Sequence, residues 1–474
     1  MSKRKVLIKE FSDSIASKRK YWINKNSYFY NDDRTYHQFL IPPDLKVLDL
    51  GCGVGDLLNS CRPSMGVGID ISEKMVDVAR KNYPNFHFLQ GDVEDKELLG
   101  GLDGPFDIIL LSDTIGYLED YQSTLEALHS LCTSETRIII SYYSMYWEPI
   151  LKIGEKLGLK MPSIEYNWIS TADTLNFLHL AGFEQVKREW RQILPKRLLG
   201  LEFIINHILG SLPFIRRLSL RNYVVARSIQ KVTSEKLSAT VLIPCCNEAG
   251  NIENAIKRIP NFCEDLEILY VEGHSQDNTV EEIKRVIEAY PEKEIKFFQQ
   301  DGKGKGDAVR KGFAHAQGDV LMILDADLTV SPEDLPKFYN AIVSGKGEYI
   351  NGTRLVYPME DEAMRFLNYW ANRTFSVLFS WLLNQRITDT LCGTKVLTRD
   401  NYNKIVANRS YFGDFDPFGD FDLIFGASKL NLKIQEVPIR YAAREYGETQ
   451  ISRFRHGWLL LKMVFFAYRK LKII

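Results

Sequence analysis

The chain begins the same α/β alternation twice, and this repetition constrains its fold more than any other feature. Between stretches of helical periodicity, short apolar runs occur at 47–50, 66–70, 86–89, 106–111 and 137–141. A second series occurs at 240–244, 267–272, 296–300, 320–327 and 348–352. Strands that alternate with helices predict largely parallel sheets covered by helices. We therefore expect two α/β domains in succession.

The polar segment QKVTSEKLSA separates the two series, and 474 residues are enough for two domains of ordinary size. We predict a first domain at 1–232, whose closing strand is NYVVARSI, a linker at 233–238 and a second domain at 239–474. The second domain ends in an amphipathic tail.

Composition narrows the class of protein. A hydrophobic fraction of 45% and a charged fraction of 26% are typical of globular domains, and a net charge of -1 gives no general attraction to nucleic acid. Seven cysteines without a C-x-x-C pair predict reduced thiols. Since neither a signal peptide nor a long apolar run is recognisable, a cytoplasmic protein is expected. Two segments, 198–218 and 456–474, mix apolar with basic residues, which predicts either peripheral contact with the inner face of a membrane or packing on the protein itself.

A glycine-rich turn follows the first strand of the first series. In VLDLGCGVGDLL, Gly51, Gly53 and Gly55 lie between a strand and a helix, where the backbone can approach a ligand closely. The glycine fingerprint of dinucleotide-binding proteins has glycine at the position that Asp56 occupies here. Asp56 therefore places a negative charge in the turn, and Asp49 adds a second one before it. This pattern disfavours a pyrophosphate and suits a ligand that carries cationic groups.

Two further carboxylates follow the next two strands. Asp70 closes GVGIDIS and is placed to accept hydrogen bonds from ribose hydroxyls, and Asp92 in GDVED is placed to reach an adenine edge. The carboxyl ends of parallel strands meet at one edge of a sheet, so these groups are expected to share one site.

This constellation resembles the class I S-adenosylmethionine-dependent methyltransferases over roughly 1–230. The resemblance implies a Rossmann-like sheet, with Asp49 and the glycine turn beside the methionine moiety and Asp70 on the ribose. It also implies that Asp92 and Val93 lie at the adenine, with Ser112 and Asp113 where cofactor and methyl acceptor meet. The sequence does not identify the acceptor or its base. Six side chains could line an acceptor pocket or belong to the core: Tyr28, Tyr30, Tyr36, His37, Tyr117 and Tyr143.

The second series carries acids at its strand ends. In VLMILDADLTV an apolar run ends in a D-x-D pair, Asp325 and Asp327, which suits a hard divalent ion bridging diphosphate oxygens. Magnesium and manganese both accept carboxylate oxygen, so the pattern does not choose between them.

The order TVLIPCCNEAGNI, YVEGHSQDNT, GKGKGDAVRKGFAHAQGDV and D-x-D resembles the family 2 glycosyltransferases of GT-A fold over roughly 239–474. The resemblance implies inverting, metal-dependent transfer from a UDP- or GDP-sugar. Pro244, Glu248 and Glu272 would then surround base and ribose, and Lys305 would contact the diphosphate. Asp325 would hold sugar or ribose, Asp327 the metal. The family usually carries a second acid where this chain has Gly273.

Downstream motifs narrow the resemblance to polyprenyl-phosphate glycosyltransferases such as dolichyl-phosphate mannose synthase. INGTRL, TDTLCGTKVL, FGDFDLI and EVPIRYAAREYGETQISRF carry it. Arg354, Arg444 and Arg453 are then candidates for clamping an acceptor phosphate. A lipid phosphate attacks without a base, whereas a sugar hydroxyl needs one, for which Asp420 or Asp422 is the candidate.

The sequence therefore predicts a bifunctional transferase of a cell-envelope glycan or glycolipid pathway, with S-adenosylmethionine, a divalent ion and a nucleotide sugar as ligands and a lipid phosphate or glycan as acceptor. Two alternatives remain open. The glycosyltransferase half could act on a sugar hydroxyl, or one half could serve only as a binding scaffold.

Overall fold

A computed structural model describes residues 1–231, 236–356, 366–412, 421–442, 444, 446 and 453–474, of which 366–371 and 453–456 are described by their backbone alone. The chain divides into two compact units, Met1–Val232 with Lys472–Ile474, and Thr233–Leu471. The last three residues group with the first unit, although the sequence analysis places them in the second domain.

The first unit is built on a seven-stranded sheet in the order β3-β2-β1-β4-β5-β7-β6. All neighbours pair in parallel except β7, which is antiparallel to both β5 and β6. Its strands are β1 Lys46–Leu50, β2 Met65–Asp70, β3 His87–Gln90, β4 Ile108–Ser112, β5 Arg137–Tyr143, β6 Phe183–Arg191 and β7 Arg221–Ser228. The carboxyl ends of β1, β2, β4 and β5 therefore share one edge, which we call the site edge.

Strand β6 is absent from the sequence-based assignment because charged residues interrupt its apolar positions in FEQVKREWR. It pairs with β7 so that Arg191 lies opposite Arg221, which in turn lies opposite Tyr143 at the end of β5. Residues 192–220, which connect β6 to β7, thus leave and re-enter the sheet at the site edge.

In the described part of the first unit, ten α-helices cover this sheet or precede it. Three of them form an N-terminal extension before β1, and Ser2 caps the first by accepting a hydrogen bond from the amide of Lys5. The helices are α1 Lys3–Ile15, α2 Arg19–Lys25, α3 Ser27–Leu40, α4 Asp56–Ser60, α5 Glu73–Asn82, α6 Lys96–Gly100, α7 Tyr121–Ala127, α8 Glu148–Lys156, α9 Thr171–Leu180 and α10 Leu201–Phe203. The amphipathic segment predicted at 198–218 is not one regular helix, since α10 runs into a π-helical turn at Ile204–Ile208 and then into 3₁₀ turns.

The second unit is built on another seven-stranded sheet, in the order β10-β9-β8-β11-β13-β12-β14. Among the strands that the structure describes in this sheet, only β13 runs antiparallel to its neighbours. Its strands are β8 Ala239–Cys245, β9 Leu266–Glu272, β10 Glu294–Gln299, β11 Val320–Ile323, β12 Tyr349–Thr353, β13 Lys395–Thr398 and β14 Ile434–Pro438. Because β11 ends at Ile323, both D-x-D carboxylates follow the strand, whereas the sequence pattern extends the strand to 327.

The helices of the second unit separate these strands in the manner expected of an α/β fold. They are α11 Ala249–Arg258, α12 Thr279–Ala289, α13 Lys305–His315, α14 Leu335–Val343, α15 Phe366–Leu383, α16 Arg399–Ala407, α17 Phe421–Lys429 and α18 Arg453–Leu471. In the predicted linker, Leu237 and Ser238 already hydrogen-bond to Tyr339 and Asp319 of the second unit, while residues 232–235 lie outside the described part.

Central strand residues form the cores of both units. Leu48, Leu50 and Ile109 are fully buried in the first unit, as are Val241 and Met322 in the second. The prediction of two α/β domains is confirmed. Within the described part of the chain, no helix combines the length and hydropathy needed to cross a membrane.

Candidate active sites

The glycine turn of the first unit lies between β1 and α4, at the site edge. Gly51, Gly53 and Gly55 have φ of 82°, 52° and 81°, in the left-handed region that glycine tolerates. A Cβ at Gly51 would lie 2.1 Å from Oγ1 of Thr114, so a larger residue does not fit there. The turn is therefore fixed both by backbone conformation and by close packing.

A cavity of about 250 Å³ opens beside this turn. Of the cofactor-binding residues predicted in the first unit, only Gly55 is absent from the lining of this cavity. The others line it: Asp49, Gly51, Gly53, Asp70, Asp92, Val93 and Ser112. Tyr30, Tyr117 and Tyr143 also line it, whereas Tyr36 and His37 are buried in the core. The strand-end residues that sequence reasoning grouped are thus brought to one cavity.

Backbone amides hold the strand-end carboxylate Asp70 in place. Its two oxygens accept hydrogen bonds from the amides of Gly53 at 2.8 Å and Ser72 at 2.9 Å. Burial raises the pKa of Asp70, although these hydrogen bonds act in the opposite direction. Each oxygen keeps a second lone pair for a further donor.

Asp92 is engaged by a cation that the sequence analysis did not identify. Lys5 of α1 is 5% exposed, and its Nζ lies 2.7 Å from Oδ1 of Asp92 and also contacts Glu94. The N-terminal extension thereby closes one side of the cavity with an ion pair at the position implied for adenine.

Asp49 is buried with an incomplete set of partners. The residue is 1% exposed, and its Oδ2 has no hydrogen-bond partner among the described residues. Burial, reinforced by the nearby charge of Asp70, raises the pKa of Asp49 to about 7. A cationic ligand in the cavity would stabilise the ionised form, so this carboxylate fits the ligand chemistry that the glycine turn suggests.

A buried arginine organises the side chains around Asp113, which lines the cavity. Arg221, at the start of β7, is 1% exposed; its guanidinium pairs with Asp113 and, at 2.9 Å, with Asp33. Ser112 lies beside this cluster and accepts a hydrogen bond from Ser141 at 3.0 Å. Burial raises the pKa of Asp113 even though Arg221 opposes the shift. Asp113 is therefore a cavity-lining carboxylate with increased basicity.

In the second unit, the first D-x-D carboxylate pairs with the lysine at the start of α13. Nζ of Lys305 lies 2.6 Å from Oδ1 of Asp325. Burial alone would raise the pKa of Asp325, but Lys305, Arg354 and Lys395 outweigh it and keep the pKa below its ordinary value. Asp325 is therefore ionised at neutral pH.

The second carboxylate of the pair, Asp327, is held from both sides. Its Oδ1 accepts from the hydroxyl of Thr329 at 2.8 Å, and its Oδ2 lies 2.7 Å from Nη2 of Arg444. The same guanidinium reaches Oε1 of Glu248 at 3.2 Å. Arg444 thus neutralises carboxylates from two loops, and a divalent ion that binds Asp327 would compete with it.

The predicted base and ribose region lies in the loops after β8 and β9. Pro244 is half-buried and pairs with Val271 in the sheet. Glu272 is fully buried; its carboxylate accepts from the amide of Ser275 and from Nε2 of Gln299 at 3.3 Å. A Cβ at Gly273 would meet Cys246 at 3.3 Å, so the acid found here in the family would crowd this loop.

The other predicted site residues divide into three cases. Arg354 is 8% exposed, and Nε and Nη2 bind the buried Asp389 at 2.6 and 2.8 Å, so much of its guanidinium is already committed. Asp422 pairs with Arg409 at 2.9 Å. Asp420 and the side chain of Arg453 lie outside the described residues. The catalytic roles given to these four residues stay predictions.

Comparison with known families identifies both units. Residues 41–193 match the family model described as "Methyltransferase domain", and residues 240–406 match "Glycosyl transferase family 2". The chain joins a methyltransferase domain to a family 2 glycosyltransferase domain. The glycine turn and Asp70 lie within the first match, and Glu272, Asp325 and Asp327 lie within the second.

Curated relatives of the chain are sugar transferases by name. A low-salt glycan biosynthesis hexosyltransferase, Agl6, from Haloferax volcanii is 29% identical over 220 residues, covering 46% of this chain and 51% of the relative. A dolichol-phosphate mannosyltransferase from Pyrococcus furiosus is 38% identical over 122 residues, covering 25% and 34%. The chain thus spans about half or less of the length of these relatives.

Solved structures resemble each domain in turn. A SAM-dependent methyltransferase from Thermotoga maritima is 15% identical, covering 46% of this chain and 99% of that chain, with a TM-score of 0.36. A glucosyl-3-phosphoglycerate synthase from Mycobacterium tuberculosis, in complex with Mn²⁺, UDP and product, is 16% identical, covering 52% and 84%, with a TM-score of 0.37. The two domains are assigned to their families by the matches to the family models.

Proposed function

We propose that the glycosyltransferase domain transfers a sugar, with inversion, from a UDP- or GDP-linked donor to a polyprenyl phosphate. The methyltransferase domain transfers a methyl group from S-adenosylmethionine to an acceptor in the same glycan or glycolipid pathway. The observation that carries the first activity is the convergence of Lys305, Asp325, Asp327 and Arg444 after the strands of one sheet. The name of the Pyrococcus relative, a dolichol-phosphate mannosyltransferase, supports a lipid-phosphate acceptor.

The donor chemistry fits a divalent ion shared between protein and substrate. Among the described residues no group of three or more metal-binding side chains occurs, so a cage made wholly of protein ligands is not available there. Two carboxylates, Asp325 and Asp327, suit Mg²⁺ or Mn²⁺ that completes its coordination with diphosphate oxygens and water. Such an ion would neutralise charge that develops on the leaving diphosphate. Lys305 supplies a second positive charge beside Asp325.

The acceptor chemistry favours a phosphate over a hydroxyl. Arg444 carries a guanidinium at the D-x-D pair, and planar guanidinium groups bind phosphate bidentately. We assign Arg444 as the first contact for the acceptor phosphate, with Arg354 and Arg453 as further candidates. For a hydroxyl acceptor, Asp422, which pairs with Arg409, stays the candidate base.

The amphipathic tail supports action at the inner face of a membrane. Helix α18 buries Leu460 and Met463 and exposes Trp458, Leu461 and Phe465 on another face. The exposed residues follow one another at spacings of three and four, and basic residues flank them, as in helices that lie in the membrane interface. We propose that the protein works in the cytosol with peripheral contact to the membrane through this helix.

Transfer by the full-length protein tests the sugar-transfer proposal. UDP- and GDP-sugars labelled in the sugar are incubated with and without a polyprenyl phosphate in detergent, after chelation and again after addition of Mg²⁺ or Mn²⁺. We expect label in the lipid phase that falls to background on chelation and returns with the ion. Metal-dependent release of free sugar without a lipid product would instead support a hydroxyl acceptor, and binding without turnover would support a scaffold.

For methyl transfer, we propose Asp113 as the general base when the acceptor is a hydroxyl. Its carboxylate lines the cavity, and its raised pKa strengthens it as a proton acceptor. We expect Asp113→Asn to lower kcat about 10²-fold or more and to leave S-adenosylmethionine affinity within about twofold. Asparagine tolerates the φ of 60° at this position and can still accept a hydrogen bond from Arg221, which keeps its ion pair with Asp33, so the fold should persist.

Steady-state methylation over a pH range, with titration calorimetry for the cofactor, checks this role for Asp113. The acidic limb of the wild-type rate profile should disappear in the variant. Asp173→Asn, at an exposed site in α9, is the matched control and should behave as wild type. An unchanged pH profile in Asp113→Asn would assign the base elsewhere.

A further inference from the structure

Helix α8 presents an apolar stripe to solvent. Tyr146, just before it, and Ile150, Ile153 and Leu157 are 71%, 54%, 59% and 67% exposed. They follow one another at spacings of four, three and four, which places them on one side of a helix, while Leu151 is buried on another. A helix that only covered its own domain would turn such a stripe inward.

The connection between β6 and β7 exposes a second apolar group. Leu199, Phe214 and Leu218 are 102%, 88% and 61% exposed, and Leu201, Phe203 and Ile204 are each about half exposed. The segment alternates irregular helical turns and keeps few of its large side chains inside. A concentration of exposed large apolar side chains of this kind points to an interaction site.

The two segments adjoin each other. Nε1 of Trp147, at the start of α8, donates to the carbonyl of Leu218 at 2.7 Å, and the amide of Ser144 donates to the carbonyl of Leu220 at 2.8 Å. We call Tyr146, Ile150, Ile153 and Leu157 together with the exposed apolar residues of 198–218 the apolar face.

The apolar face adjoins residues that line the methyltransferase cavity. Helix α8 is bracketed in the chain by cavity-lining residues, with Tyr143 before it and the segment from Lys160 to Trp168 after it. The 192–220 connection ends at Arg221, whose guanidinium pairs with the lining residue Asp113. The residues that carry this face are therefore connected, through the chain and through Arg221, to residues that line the methyl-transfer site.

The charges of the apolar face identify its occupant. Residues 192–220 contain four Lys or Arg and one Glu, among them Arg197 and Arg217, which are exposed. Protein interfaces are depleted in Lys at their centres, whereas segments that lie in a membrane interface combine Lys and Arg with Leu, Phe and Trp. Basic residues of this kind are attracted to anionic lipid headgroups. These features favour an anionic bilayer over a second copy of the chain.

We propose that the methyltransferase domain docks on an anionic lipid bilayer through the apolar face, and that its methyl acceptor is the polar head of a membrane-anchored amphiphile that enters the cavity from the bilayer. The proposal rests on the proposed methyl transfer and adds its substrate class. It also places the methyl and sugar transfers at the same kind of surface, since a polyprenyl phosphate is membrane-anchored as well.

Vesicle binding tests the docking step. Full-length wild type and a Leu199→Glu/Phe214→Glu variant are co-sedimented with vesicles of phosphatidylglycerol and phosphatidylcholine. Both side chains are almost wholly exposed, so the fold should tolerate the changes. We expect binding to weaken at least about tenfold, because two apolar anchors are replaced by like charges at an anionic surface.

The matched control for docking is Leu180→Glu, a 53% exposed leucine at the end of α9. It precedes Phe183, which pairs with Ser228 at the edge of the sheet opposite the site edge, so vesicle binding should not change. Because α18 is intact in all variants, any contact it makes contributes equally. Equal vesicle binding by the double variant and the wild type would overturn the proposal. If, in addition, sedimentation velocity showed a dimeric wild type and a monomeric double variant, the apolar face would be an interface between two copies of the chain.

Methyl incorporation tests the acceptor class. Labelled S-adenosylmethionine is added to the protein with vesicles made from lipids of the cells that express it, and the organic and aqueous phases are counted. We expect label in the organic phase, reduced at least about tenfold in the double variant, with cofactor affinity unchanged in calorimetry. Label found only in water-soluble products would overturn the lipid acceptor, whereas failure to bind S-adenosylmethionine at all would refute the proposed methyl transfer itself.

Discussion

Replacement of Asp327 by asparagine should abolish sugar transfer while leaving methyl transfer intact. The change removes the charge with which the second D-x-D carboxylate would bind the divalent ion, and such ions supply several kcal/mol of stabilisation to a phosphoryl leaving group. We expect a fall of about 10³-fold or more in the transfer rate. Labelled-sugar transfer by full-length protein at saturating donor measures it.

The consequence for folding should be small. Asp327 pairs with Arg444, but Arg444 also pairs with Glu248, so the variant does not strip the guanidinium of its carboxylate contacts. Thermal unfolding should confirm a folded glycosyltransferase domain. Asp301→Asn is the matched control, because Asp301 is 83% exposed and pairs with Lys311 on the surface. Full activity in Asp327→Asn, or equal loss in Asp301→Asn, would remove Asp327 from the metal site.

Metal binding at Asp327 can be measured separately from catalysis. Since Arg444 occupies one oxygen of Asp327, an incoming ion must compete with a charge-assisted hydrogen bond of 2.7 Å. Binding of Mn²⁺, followed by its paramagnetic resonance signal, therefore reports on Asp327 without substrate turnover. The signal of bound ion should be weaker in Asp327→Asn than in Asp301→Asn.

Local patterns were sufficient to predict the parts of each site that follow strands. The turn containing Gly51 and the carboxylates Asp49, Asp70 and Asp92 could be located because each lies at the end of an apolar run, and parallel strands bring such ends together. The same reasoning located the D-x-D pair. It placed the end of β11 too late, because Leu324 remains apolar and buried after the strand has ended.

Long-range ion pairs could not be predicted in the same way. Lys5 contacts Asp92 across 87 positions, and Arg221 contacts Asp113 across 108, so neither local spacing nor periodicity signals them. Arg354 shows that a local motif can also suggest a role for a side chain that a distant ion pair already occupies. Its motif suggested a phosphate clamp, but the buried Asp389 already accepts two of its hydrogen bonds, and the cost of burying either charge alone keeps the pair together.

Strand β6 shows how tertiary context overrides composition. FEQVKREWR carries five charged residues, yet several of its side chains are buried against the rest of the first unit. Glu189 and Arg191 are each less than 9% exposed, and Arg191 stacks over Tyr36 at 4.6 Å. The charged residues of β6 are stabilised by contacts with residues distant in the sequence. The strand therefore forms without the alternating apolar pattern by which a strand is predicted.

Asp49→Asn should strongly weaken cofactor binding and at the same time stabilise the ligand-free protein. The folded pKa of Asp49, about 7, lies above its ordinary value of 3.8. A carboxyl group with a raised pKa binds its proton more tightly in the folded state, so it reduces stability progressively as the pH rises from about 4 to 7. Asparagine cannot ionise, and we expect the variant to be more stable than wild type by about 4 kcal/mol at pH 8 and nearly equal to it at pH 4.

Cofactor affinity should show the opposite dependence on Asp49. A cationic ligand requires the ionised carboxylate, so wild-type affinity for S-adenosylmethionine should fall toward tenfold per pH unit below about pH 7, as binding must first release the proton. The variant should bind at least about 100-fold more weakly, without this slope. Calorimetry in buffers of different ionisation enthalpy counts the released proton directly.

Asp95→Asn, at the exposed cap of α6, is the control and should change neither stability nor affinity, because asparagine caps a helix as well as aspartate. A flat pH dependence of wild-type affinity, with no proton released, would show that Asp49 does not meet the positive charge of the cofactor.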